Sequence, residues 1–202
     1  MTKRRYDPSA CKEDILNAAE HLFATHGFGD VSTKTIAKEA GVSQSQIHYH
    51  FQTKRNLWSA IFQRRFAEYF TIQSKMLQSD ERQGMERMEA SIRAYFDFFR
   101  RNPKFIKLII RAQLGGHTED DETMSSTLLE EGVASIKKGQ HDGLIRNDVE
   151  PEHVLIGFTS LVEYWFQVRE FYLLGKEDDD PEQHDDQYLN FILKVFLKGL
   201  TP

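Results

Sequence analysis

Gln44, Ser45 and Gln46 stand in a row behind Ser43, at the head of a short amphipathic stretch, and side chains of this type can read nucleic-acid bases. A glutamine amide donates and accepts at once. It can pair bidentately with the major-groove edge of adenine, at about 1–3 kcal/mol of discrimination per good pair. That chemistry needs the side chains at the N-terminal end of a helix lying in the major groove. The surrounding residues supply such a helix and a second one before it. Ser32 or Thr33 caps a helix carrying Ile36, Ala37 and Ala40 at helical spacing. Gly41 offers the left-handed conformation that ends it. Ser43 caps the next helix, and Gln46 three residues on completes a capping box. Residues 32–51 thus have the sequence form of a helix-turn-helix. Because Gln46 doubles as a capping partner, Gln44 and Ser45 are the first candidates for base readout.

Phosphate contacts fix register without reading sequence. Thr33 and Lys34 at the start of the preceding helix are expected to supply them, with His48, Tyr49, His50 and Lys54 beyond the reading helix. Ile47 and Phe51 are expected to face the core. The pair His48 and His50 does not suggest a metal site, because residues two apart on a helix point in different directions. No metal or cofactor is expected. The acidic run from Glu177 to Asp186, with His184, reads as a solvated loop whose Asp180-Pro181 caps the last helix.

The chain has 202 residues and a net charge of -5, which looks wrong for a partner of nucleic acid. Its distribution changes the reading. Residues 1–65 carry ten Lys/Arg against six Asp/Glu, leaving 16 against 25 for the remainder. A basic head on an acidic body holds a polyanion at the N-terminal end. Lys3, Arg4 and Arg5 could extend that head as an arm reaching the phosphates or the minor groove. One cysteine, Cys11, and no apolar run of membrane-spanning length point to a cytoplasmic chain with no secretory leader and no membrane partner.

The elements around the helix-turn-helix are all helical in pattern, about nine in number, giving an all-α fold. One helix runs from about Ser9 to His26 with Ile15, Ala19, Leu22 and Phe23, and closes at Gly27. Phe28 and Val31 plug the core in the connection that follows. Further helices are expected at about 56–77, 85–101, 105–114, 118–139, 151–174 and 188–200, with Asn102 and Pro103 forming one boundary. The division is a DNA-binding head over residues 1–55 and a body over residues 56–202.

The chain resembles the tetracycline-repressor (TetR) family of bacterial transcription regulators over roughly residues 13–62. The resemblance rests on Ala18-Ala19, Gly27-Phe28, Thr33, Ala40 to Ser43, His48 to Phe51, and Lys54 with Leu57. Where the family usually has Tyr after the apolar residue at 47, this chain has His48, followed by Tyr49. The resemblance implies an effector cavity in the body; Phe66, Phe70, Tyr95, Phe99, Ile110, Gln113 and Phe158 are candidates to line it, with Arg111 and His117 as further polar groups. It also implies dimerisation through the last two long helices, with Val162, Trp165, Phe166, Ile192, Val195 and Phe196 as interface candidates. Two-fold symmetry would set the reading helices about 34–36 Å apart on a near-palindromic double-stranded operator.

The function so implied is a homodimeric regulator, most simply a repressor released from its operator by a small molecule. An activator, or an effector-independent DNA-binding protein that recruits a partner through its body, is the alternative. An enzyme is disfavoured: the sequence lacks a Gly-rich phosphate loop, a G-x-S-x-G elbow and an H-E-x-x-H pair.

Overall fold

The computed structural model describes residues 7–79, 84–115, 119–175 and 180–202, with 76–79, 115 and 119–128 described by backbone alone. Every regular element among the described residues is helical. The basic arm Lys3 to Arg5, His117 and residues 177–179 of the acidic run lie outside them.

The first helix, α1 (Pro8–His26), is opened by the Asp7 carboxylate, which accepts from the Ser9 amide at 3.0 Å, and by Pro8 in its first turn. Ile15, Ala19 and Phe23 form its fully buried stripe. Two short helices, α2 (Thr33–Ala40) and α3 (Gln44–Phe51), complete the head. Ile36, Ile47 and Phe51 are buried beneath them, as expected of these positions. A 26-residue helix, α4 (Lys54–Ser79), starts in the head and runs into the body. Its first half carries Leu57, Trp58, Ile61 and Phe62 into the core it shares with α1.

The body follows as α5 (Gly84–Arg101), α6 (Pro103–Gly115), α7 (Glu119–His141), α8 (Pro151–Tyr172) and α9 (Pro181–Phe196), ended by a 3-10 turn at Leu197–Leu200. Between α5 and α6 the Asn102 side chain closes the earlier helix, donating to the Phe98 carbonyl at 3.0 Å and to Glu68 at 3.2 Å. The hydrophobic core is continuous from the head into the body, and α6 lies against α1.

The last helix corrects the sequence reading. It begins at Pro181, capped by Asp180, seven residues before Tyr188, so much of the acidic run is helix instead of loop. The reason is Asp185, which is fully buried. It accepts from Trp165 Nε1 at 2.9 Å and takes both prongs of the Arg169 guanidinium at 2.6 and 2.9 Å. A buried carboxylate satisfied by a charge-assisted fork and an indole holds α9 onto α8.

Candidate nucleic-acid interface and interior cavity

The turn between α2 and α3 is built by local chemistry. Gly41 adopts φ 67°, and its N–H returns to the carbonyls of Ala37 and Lys38, closing α2. Ser43 Oγ accepts from the Gln46 amide, and Gln46 Oε1 accepts from the Ser43 amide at 2.8 Å, so both halves of the capping box form. Gln46 Nε2 also reaches Cys11 Sγ at 3.5 Å on α1. Its amide is therefore a brace between helices. Gln44 and Ser45 are exposed at the first turn of α3, where a groove-entering helix presents its side chains. Gln44 Nε2 donates to Thr33 Oγ1 at 2.9 Å, so a candidate base reader and a phosphate candidate are held side by side.

The remaining phosphate candidates separate. Lys34 is exposed at the start of α2, and the Tyr49 ring is 76% exposed, edge-on to His50. His48 is exposed too, but its Nδ1 lies 2.8 Å from the Gln52 carbonyl, where the chain turns with φ 62°. His50 is half-buried, with Nε2 enclosed and unpartnered among the described residues. Lys54 departs from its expected role. Its ammonium donates to the Phe28 carbonyl at 2.7 Å and to Val31 at 2.9 Å, and sits 4.3 Å from the Phe28 ring centre. These partners lie in the α1–α2 connection, so Lys54 clamps that loop. Among the described residues no group of three His, Cys, Asp or Glu is arranged to hold a metal ion.

Two of the ten positive charges of residues 1–65 are neutralised within the protein. Arg64 and Arg65 on α4 both pair with buried Glu20 of α1, Arg65 at 2.8 Å, and Arg64 also reaches Glu13 at 2.9 Å. That clasp ties α1 to α4 below the head.

A cavity of about 600 Å³ lies inside the body, walled by α4 to α8. Of the residues put forward for an effector cavity, Phe66, Tyr95, Phe99, Gln113 and Phe158 line it. Phe70 does not: it is 41% exposed on the outer side of α4. Ile110 gives way to Ile109 and Ala112, one helical face round on α6. Arg111 turns to the head, where it donates to the Thr25 carbonyl at 3.1 Å beside Gly27. Beyond Tyr95 and Gln113, further polar groups line the cavity. Gln73 donates to the Tyr69 hydroxyl at 2.7 Å, Ser91 donates to Gln73 at 3.2 Å, and Tyr95 donates to Glu163 at 2.6 Å. Burial raises the pKa of Tyr69, Tyr95 and Glu163 alike.

A sequence profile for the tetR family of bacterial regulatory proteins matches residues 15–61, and one for a tetracyclin-repressor-like C-terminal domain matches residues 90–190. The chain belongs to the TetR family. It is a DNA-binding transcriptional regulator with the all-α fold of that family. The transcriptional repressor NicS of Pseudomonas putida is 25% identical over 198 residues, covering 94% of this chain and 92% of that protein. The ketosteroid transcriptional regulator KstR2 of Mycobacterium tuberculosis superposes with a TM-score of 0.73 at 17% identity, over 95% of each chain. The regulator FadR of Bacillus subtilis, in complex with stearoyl-CoA, gives 0.71 at 14% identity over 91% of this chain and 98% of that one.

Within this TetR-family body, α8 has three faces where the sequence suggested one broad apolar side. Val162, Trp165 and Phe166 are buried inside the protomer, as is Ile192 on α9. Trp165 stacks on Tyr188 at 4.4 Å, and Phe166 packs on Phe96 at 4.9 Å. These four expected interface residues are thus occupied in joining helices of one chain. Phe196 is half-buried against Phe158, and Val195 is 57% exposed. A second face, Leu155, Thr159 and Glu163 at four-residue spacing, looks into the cavity. A third is apolar yet exposed: Ile156, Tyr164 and Phe171, with Phe191 and Val195 on α9.

Glu163, Tyr69, Gln73 and Ser91 were missed by sequence reasoning. Glu163 had a signal, an acid set among apolar residues on α8 and in line with Thr159. Tyr69 and Gln73, one turn apart on α4, had only their spacing.

Proposed function

We propose that this TetR-family chain is a homodimeric repressor, cytoplasmic and without catalytic activity, released from a palindromic operator by a small molecule bound in the body. Residues 1–55 form the DNA-binding unit, and residues 56–202 the effector-binding and dimerising unit. The observation that carries the reading is a packed line of rings from cavity to head. Phe105 and Phe62 on the cavity wall are 5.4 Å apart, Phe62 lies 5.2 Å from Trp58, and Trp58 lies 5.3 Å from Phe23 and 5.5 Å from Phe28. α6 adds a second link, with Ala112 on the cavity and Arg111 on the end of α1.

A ligand that displaces Phe62 or α6 therefore biases the position of α1 and the head. Release follows if the ligand favours the body arrangement whose head spacing mismatches the operator, with a typical coupling of about 1–3 kcal/mol. Dimerisation is supported by the uncovered stripe Ile156, Tyr164, Phe171, Phe191 and Val195, since large exposed apolar patches mark interfaces. No described helix is long and apolar enough to cross a membrane.

Fluorescence anisotropy on the promoter beside the chain's own gene tests the proposal. Sequence-selective binding with a steep salt dependence is expected. Absent binding, or binding indifferent to both salt and sequence, overturns it.

A further inference from the structure

Glu163 presents a carboxylate to an apolar cavity without a cation to meet it. Its Oε1 accepts from the Tyr95 hydroxyl at 2.6 Å, and no Lys, Arg or His forms an ion pair with it among the described residues. The other acids of the wall are placed differently. Glu131 is exposed, and Asp142 is paired with Lys138 at 2.6 Å near the surface. Arg87 also lines the cavity but makes no ion pair with Glu163. Glu163 is pushed above its usual range by burial, with only the Tyr95 hydroxyl opposing. The Tyr95 hydroxyl remains neutral and donating, since burial and the neighbouring carboxylate both raise its pKa.

The ring that meets this carboxylate, Tyr95, is the centre of a group of four rings of the cavity wall. Tyr95 lies 5.1 Å from Tyr69, 5.0 Å from Phe99 and 5.9 Å from Phe158, each at a steep interplanar angle. Rings tilted about a common space present both edges and faces to it. Aromatic faces attract cations within about 6 Å, by about 2 kcal/mol or more when the cation is desolvated. A desolvated carboxylate without a counter-charge is unfavourable, and it persists where something else requires it. Both features select the same ligand charge. An anionic group seated there would meet like charge in a low-dielectric site.

We propose that the effector is an apolar, ring-bearing molecule with a cationic nitrogen, held between the Glu163 carboxylate and the rings of Tyr69, Tyr95, Phe99 and Phe158. The cavity volume of about 600 Å³ lies in the range that takes drug-sized molecules. This assignment rests on the cavity being the effector site.

Three probes that share one ring system and differ in charge test it: 1-naphthylmethylamine, 1-ethylnaphthalene and 1-naphthylacetate. Their binding is measured by calorimetry on the full chain without DNA, so operator recognition does not enter. The amine is expected to bind at least about ten-fold more tightly than either of the others. Glu163→Gln is expected to abolish that preference, and Glu163→Asp to keep it. Equal or weaker binding of the amine to the wild-type chain overturns the assignment, and leaves the cavity reading intact if a neutral or anionic probe binds. A preference that survives Glu163→Gln also overturns it. Failure of all three at millimolar concentration overturns both the assignment and the cavity reading. The wild-type ranking decides even if the variants fold poorly.

Discussion

In the proposed reading, Gln44 and Tyr49 have different roles at the level of single side chains. Gln44 is exposed at the first turn of α3 and positioned by Thr33, whereas Gln46 is tied into the capping box and to Cys11. Gln44→Ala is therefore expected to relax preference at one base position per half-site by about 1–3 kcal/mol. Tyr49→Phe is expected to weaken every operator sequence by a similar factor. Anisotropy titrations against operators varied at single positions separate the two, and uniform loss in Gln44→Ala would make Gln44 an anchor. Glu163 carries a stability prediction of the opposite kind. Its carboxyl is raised above the ordinary 4.5 by burial, so the folded state holds the proton more tightly than the unfolded state does. Stability then falls as pH rises through the interval above 4.5, until the folded carboxyl has ionised. Glu163→Gln is expected to stabilise the ligand-free chain at pH 7 by up to about 1 kcal/mol, a gain that fades as the wild-type carboxyl protonates. Thermal melts across pH measure it.

The elements are joined by a few paired charges placed where helices cross. Glu20 on α1 gathers Arg64 and Arg65 from α4, and Asp185 on α9 gathers Trp165 and Arg169 from α8. Removing one partner of a buried pair leaves an uncompensated charge, at about 3–5 kcal/mol. Asp185→Ala is accordingly expected to lose about 3 kcal/mol, because Arg169 is 23% exposed and rehydrates in part. For a chain of this size that lowers Tm by about 6–12 °C in a thermal melt. An unchanged Tm would mean that α9 is held by its apolar face alone. These crossings also explain which helix boundaries were readable. The capped turn of residues 32–51 was legible because each of its caps lies within four residues of its partner. The cap of α9 at Asp180-Pro181 was legible in the same way, but the helical state of residues 182–187 was not, because the acidic run reads as a solvated loop until its long-range partners on α8 are known.

At the scale of the whole molecule, α8 and α9 leave an apolar stripe uncovered. Ile156→Glu combined with Val195→Glu puts charge on exposed positions, so the protomer core is left intact. The double variant is expected to sediment as a monomer with its helical circular dichroism retained. It is also expected to lose operator affinity by about 100-fold or more, since the two heads no longer bind as a linked pair. Trp165→Glu, by contrast, is expected to unfold the chain, because that ring is 4% exposed and stacked on Tyr188. A dimer that persists in the double variant would place the interface elsewhere.

The sequence by itself determined the all-α class, the helix-turn-helix with its caps, the candidate readers and the division of charge. Periodicity, capping and turn chemistry are local, and act over a few residues whatever the rest of the chain does. Tertiary structure decided which side of each helix meets which partner. It committed Lys54 to the carbonyls of Phe28 and Val31, and it buried Trp165 and Phe166 within one protomer. It also set Glu163 beside Tyr95, 68 residues away in the chain. A broad apolar helix such as α8 has more than one face to bury, and periodicity alone cannot assign each face to core, cavity or partner. The packing of distant helices makes that assignment, and with it gives the cavity a carboxylate that awaits a positive charge.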